Sequence, residues 1–233
     1  MTSVPSRDIL VLLSSNGLKS RIVLEHLLED SWFVDQFDLG AVVDRTDGEV
    51  PKILSEANVP HEVASAPKTP VEEMLDVFPN GPEYIVSVGW SHYVPPDAIE
   101  LALIESLNCH GSYLPEYRGP NAYRATWANG RETGGASVHV MTDEFDDGRI
   151  IRRERFNIGP FDTPREIGYR ASELTAGLVR ESILLIESGY EGIENEGGSY
   201  YERISWPKTI VHGCINNLAR LSGVDWRWEI DPR

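Results

Sequence analysis

The chain predicts an α/β fold built on a mostly parallel sheet with helices on both faces, and three observations carry that expectation. Short apolar runs alternate with segments of helical period through the first half of the sequence. The chain opens with a strand, a turn and an amphipathic helix, the start of a strand-helix-strand unit whose crossover is right-handed. Its 233 residues, 41% of them apolar, suffice for one well-buried domain. Such a sheet places ligands beyond the carboxyl ends of its strands.

In order, residues 8–13 (DILVLL) form an apolar run bounded by a turn, and 20–30 have the spacing of an amphipathic helix. Residues 37–44 predict a strand, 50–59 a helix, 61–64 a short strand, 70–78 a helix and 84–90 a strand. The strand 106–110 (SLNCH) is followed by a loop over 111–121, a helix around 122–130, a strand over 136–141, a turn at 144–148 and a strand over 149–158. The longest helical pattern runs from 163 to 189, with Thr163 as N-cap, Pro164 as the first helical residue and Gly189 as the stop. Beyond residue 190 the pattern weakens to one short strand within 199–207 and one helix over 211–221. The expected organisation is a catalytic domain over 1–190 and a short C-terminal extension over 191–233, without internal repeats.

Composition excludes several classes. The formal net charge is −16, and only four of the 21 basic residues are lysine (Lys19, Lys52, Lys68, Lys208). A polyanion is repelled from such a surface, so nucleic acid is not an expected partner. Acid-rich, lysine-poor composition suits a salt-adapted host, where self-repulsion is screened. No apolar run approaches the roughly 20 residues that cross a bilayer, and the first 17 residues lack the long apolar stretch of a signal peptide. A cytoplasmic protein with no membrane contact is expected, and a homodimer is one assembly open to it. Cys109 and Cys214 form neither a disulfide framework nor a CxxC pair, so both are expected as reduced thiols.

The chemistry gathers around residue 108. Side chains alternate across a strand, so Asn108 and His110 share one face and Cys109 turns away. An amide N–H can hold an oxygen as it becomes negative, and an imidazole can move a proton near neutral pH. His139 and Asp146 follow about thirty residues later, and a carboxylate can orient or charge such an imidazole. The set suits attack on a carbonyl. Each residue also has an ordinary reading: a strand histidine as a satisfied core group, Asp146 and Asp147 before Gly148 as turn residues. The i, i+4 spacings of common metal motifs are absent, so no metal is expected. The loop at Ser14, Asn16 and Gly17 joins a strand to a helix, where an acceptor phosphate could sit on backbone N–H groups; a plain turn is the alternative, since one glycine matches no phosphate-loop motif.

NCHGSYLPEYRG (108–119) followed by GGASVHVMTDEFDDGRII (134–151) resembles the folate-dependent formyltransferases, a family that includes glycinamide ribonucleotide, methionyl-tRNA and amino-sugar N-formyltransferases. The resemblance covers residues 8–190 and implies a Rossmann-like sheet. It also implies 10-formyltetrahydrofolate as formyl donor and Asn108, His110 and Asp146 as catalytic residues, with His139 matching a histidine of some branches. The pterin is implied between the loop 89–95, with Trp90, Ser91, His92, Tyr93 and Val94, and the loop bearing Asp143, Glu144 and Phe145. The LPEYRG loop and the tail look more like the tRNA and amino-sugar branches. A 233-residue chain has little room for the further domain of the tRNA enzymes. A primary amine on a nucleotide-linked amino sugar is therefore the expected acceptor, a small and phosphorylated molecule, with Tyr117 and Arg118 as its contacts. Alternatives are phosphoribosylglycinamide formyl transfer, hydrolysis of the formyl donor, and a non-catalytic folate-binding module. In the transfer reading, Asn108 and protonated His110 steady the formyl oxygen while Asp146 charges His110 and helps remove the amine proton.

Overall fold

A computed structural model of the chain describes residues 7–66, 68–224 and 226–232. Its elements are β1 (Arg7–Leu13), α1 (Leu18–Glu29), α2 (Ser31–Gln36), β2 (Phe37–Val43), α3 (Glu49–Glu56), β3 (His61–Val63), α4 (Val71–Val77), β4 (Tyr84–Val88), α5 (Pro96–Ile99), β5 (Glu105–His110), α6 (Ala122–Ala128), β6 (Thr133–Val140), β7 (Ile150–Asn157), α7 (Pro164–Glu187) and α8 (Trp206–Leu221). The strands hydrogen-bond in the order β3-β2-β1-β4-β5-β6-β7. All described pairs from β3 to β5 are parallel, and β6 with β7 is antiparallel, so the mostly parallel α/β sheet is as expected. The chain divides into two compact units, residues 1–109 with 140–144, and residues 110–139 with 145–233.

In the first unit β1 and β4 lie at the centre, and β4 is buried along its whole length. Leu10, Leu12, Val42, Met74, Ile85 and Met141 close one core beside it. Each such side chain contributes about 1.5–3 kcal/mol on full burial, which drives the helices onto the sheet. The strand order reverses between β1 and β4, the switch point at which such sheets leave a crevice. The loops that follow these two strands, 14–17 and 89–95, therefore stand at the carboxyl edge of the unit.

In the second unit the antiparallel β6–β7 pair carries a bulge: Val138 pairs with Arg152 and His139 with Ile150, so Ile151 is the additional residue. A bulge bends its strand and re-aims the side chains beside it, here His139. α7 starts as its sequence predicts, with Thr163 Oγ1 accepting from the Glu166 N–H and the Glu166 carboxylate accepting from the Thr163 N–H. Gly189, at φ +86°, follows its end.

Three details differ from expectation. α2 forms directly after α1 because the Asp30 side chain accepts from the Trp32 N–H at 2.9 Å. The four-residue α5 starts on Pro96, whose fixed φ suits a first helical position. The strand expected within 199–207 is reduced to a single bridge between Arg118 and Tyr200, while α8 begins at Trp206 because Ser205 caps it and Pro207 occupies its first turn. Among the described residues no helix is long and apolar enough to cross a membrane.

Candidate active site

The second unit builds its polar centre around His110, the last residue of β5, which is 6% exposed. Its Nε2 donates to the Tyr117 carbonyl at 2.9 Å, and its Nδ1 lies 3.1 Å from Asp146 Oδ1. A carbonyl and an ionised carboxylate only accept, so both contacts are met together when the ring carries two protons. His139 brings Nε2 to 3.6 Å from the same carboxylate oxygen. The other oxygen, Oδ2, accepts from the Gly119 N–H at 2.8 Å.

Burial pushes the Asp146 carboxyl upward, but the charge and hydrogen bond of His110, followed by those of His139, outweigh it and hold the group well below the usual carboxylate range. The centre is therefore an ionised carboxylate clamped between imidazoles and a backbone N–H. Asp146 itself stands at φ +53°, a left-handed backbone that an aspartate adopts only at some cost. The turn is secured from the tail, where Asn195 Nδ2 donates to the carbonyls of Asp146 at 2.9 Å and Gly148 at 3.1 Å. Arg118 adds an ion pair to Asp147 at 2.8 Å and donates to the Asn195 carbonyl.

Asn108 precedes His110 by two residues in β5 and is half-buried, so the two side chains share a face. Cys109 on the opposite face is buried, and burial pushes its thiol up to about 12 despite the lowering influence of Lys19. A thiol held there is no nucleophile at neutral pH. Both ring nitrogens of His110 face acceptors in this structure, the Tyr117 carbonyl and the Asp146 carboxylate.

Tyr117 and Arg118 face inward. The Tyr117 ring stacks on Tyr201 at 4.7 Å, and its hydroxyl accepts from Arg131 Nε at 2.6 Å and Asn129 Nδ2 at 3.3 Å. Its backbone, at φ +56°, turns the carbonyl that His110 uses. Tyr117 thus supports the imidazole, and Arg118 supports the turn. Sequence reasoning passed over Asn195, Asn129 and Arg131, which lie in no motif, and Gly119, whose contribution is a backbone N–H.

In the first unit three N–H groups of the loop 14–17 are engaged within the fold. Ser15 N–H donates to Asp44 Oδ1 at 2.7 Å, Gly17 N–H to the Ser14 carbonyl at 3.1 Å, and Ser14 N–H to Ser20 Oγ at 3.1 Å. The Asp44 carboxylate thus takes one N–H of this loop, and Asn16 is exposed. After β4, Trp90 packs against the apolar core with its ring 5.5 Å from that of His92. Its Nε1 is buried with no hydrogen-bond partner among the described residues. His92 Nε2 lies 4.0 Å from Asp44 Oδ2. Val94 belongs to the core, Tyr93 is half-buried, and Ser91, Asp143 and Glu144 are exposed. Phe145, placed in the second unit, is exposed.

Residues 7–182 match the family model described as formyl transferase. The GDP-perosamine N-formyltransferase of Brucella melitensis biotype 1 is 33% identical over 123 residues, 52% of this chain and 48% of the relative. The methionyl-tRNA formyltransferase of Solibacter usitatus is 29% identical over 175 residues, 70% of this chain and 55% of the relative. The chain thus spans about half the length of these curated relatives. Among solved structures, the N-formyltransferase from Helicobacter canadensis in complex with folinic acid and dTDP-3-aminofucose superposes with a TM-score of 0.63 at 19% identity, covering 89% of this chain and 79% of that one. The family model reaches from β1 into α7 and includes Asn108, His110, His139 and Asp146, so this chain belongs to the formyl transferase family.

Proposed function

We propose that the chain transfers a formyl group from 10-formyltetrahydrofolate to a primary amine, and that the amine belongs to a nucleotide-linked amino sugar. The observation that carries the reading is the charged pair of His110 and Asp146 beside the strand amide Asn108, in a chain of this family. The sugar is favoured by the GDP-perosamine enzyme among its relatives and by the net charge of −16, which disfavours tRNA. The same donor class suits the first unit, because the orphaned Nε1 of Trp90 is a buried N–H in want of an acceptor, and a pterin edge supplies one. Trp90, His92 and Tyr93 would hold it there.

The bound donor supplies an electrophilic formyl carbon. Asn108 donates to the oxygen on which negative charge develops, a contact of a kind worth about 3 kcal/mol, or roughly 10²–10³ in rate. His110 places a positive charge near that oxygen while its N–H groups stay on Asp146 and Tyr117. Asp146, held ionised, is a weak proton acceptor, so it works by keeping His110 charged; the amine proton leaves to water, and the bond from the formyl carbon to the donor's N10 breaks as N10 takes a proton from water, releasing tetrahydrofolate. The test is tetrahydrofolate release in the presence of several nucleotide-linked amino sugars, of glycinamide ribonucleotide, and of no acceptor. Release that depends on an amino sugar supports the reading. Release with glycinamide ribonucleotide alone refutes the sugar assignment, and release without any acceptor refutes transfer.

A further inference from the structure

α8 is built inside out. Its buried residues are Thr209, His212, Gly213, Asn216 and Asn217, polar or side-chain-less, and Asn216 and Asn217 donate to the carbonyls of Ala128 and Trp127 at the end of α6. Its solvent face is apolar. At about 100° per residue, Pro207, Ile210, Val211, Cys214, Leu218 and Leu221 fall within an arc of roughly 100°, and all six are exposed, Leu218 by 63%. No charged residue lies in that arc. A helix on the surface of a monomer shows the reverse arrangement, with its apolar stripe turned inward.

The geometry points to a second copy of this chain as the occupant, seated through an antiparallel α8–α8 pair about a twofold axis. Five of the stripe's six positions, 207, 210, 214, 218 and 221, are symmetric about 214, so a twofold sets Pro207 against Leu221 of the partner helix, Ile210 against Leu218, and Cys214 against its own mate. Charge permits the same place. The chain carries 37 acidic residues and α8 has none, so two copies of charge −16 can meet along this helix with no carboxylate of either α8 in the seam. The exposed stripe also has the width of a two-helix seam, with 207, 214 and 221 one heptad apart and 211 and 218 between them.

Light scattering on the intact protein should give a particle of twice 26.1 kDa, 52.2 kDa. A short bis-maleimide should join the two copies through Cys214, because Cys109 is buried, and Cys214→Ser should abolish the joined species. Leu218→Glu, at a position exposed in the single chain, should return the mass to 26.1 kDa with an unchanged circular dichroism spectrum. The crosslink is read on the unaltered chain and so does not depend on how that variant folds. A particle of 26.1 kDa at micromolar concentration overturns the proposal. So does a dimer that survives Leu218→Glu and yields no Cys214 crosslink, and so does a monomer that instead binds phosphatidylcholine vesicles through this face.

Discussion

Replacing Asp146 with asparagine keeps the side chain's shape and removes its charge. At 3.1 Å from His110 Nδ1, and with an effective dielectric near 20, the attraction that is lost amounts to about 5 kcal/mol before desolvation is counted. Breaking one half of a buried pair typically costs about 3–5 kcal/mol, because the remaining group is left uncompensated. Against a total stability of about 5–15 kcal/mol the variant should still fold, with a lower Tm read by circular dichroism. The effect on turnover is separate. Asp146→Asn no longer holds His110 as a charge beside the reacting oxygen, so kcat should fall by about 10²–10³ while KM moves by less than about threefold. The pH dependence follows from the direction of the shift. The folded carboxyl sits below its unfolded value of about 3.9, so its stabilisation is complete above that pH and is lost as pH falls through the folded value. Thermal melts of the native chain should therefore lose stability on the acid side, and Asp146→Asn should show a flatter acid limb. Turnover within about threefold of the native chain, or identical acid limbs in the two proteins, would refute the role given to this carboxylate.

Asn195→Ala strips both hydrogen bonds from the carbonyls of Asp146 and Gly148; with about 1–3 kcal/mol at stake in positioning the turn, kcat should fall by roughly tenfold at constant KM, as steady-state kinetics would read. Labelling with one equivalent of a thiol reagent, followed by peptide mapping, should spare Cys109, whose thiol is buried and held protonated. If the acidic surface is salt-adapted, Tm should climb between low salt and 1 M, where the screening length falls to about 3 Å, and a flat profile would set that expectation aside.

The sequence disclosed most of what sits on regular elements. Strands β1, β2 and β4 showed as apolar runs, and the start of α7 as Thr163 and Pro164, because burial on both faces and capping are written in local residue types. His110 and Asp146 could be paired in advance only through a family pattern, since 36 residues separate them along the chain. The remainder was hidden for identifiable reasons. The second partner of His110 is the Tyr117 carbonyl, a group every residue carries, brought into place by a left-handed turn that a tyrosine rarely adopts. Tyr117 itself read as a contact to the acceptor, and its packing went unseen because its stacking partner, Tyr201, lies 84 residues away. The loop at Ser14 left a plain turn and an anion site both open because the carboxylate that its Ser15 N–H meets comes from the residue after the next strand, Asp44. α8 was placed too late because its apolar residues point outward, where a search for a buried stripe finds no consistent core.

The account stands most directly on one measurement: mass spectrometry of a nucleotide-linked amino sugar after incubation with the chain and 10-formyltetrahydrofolate, run beside Asn108→Ala. The expected result is an N-formylated sugar from the native chain, with product formation slowed by about 10²–10³ in the variant. Equal yields from both proteins, or tetrahydrofolate released with the amine unmodified, would contradict it.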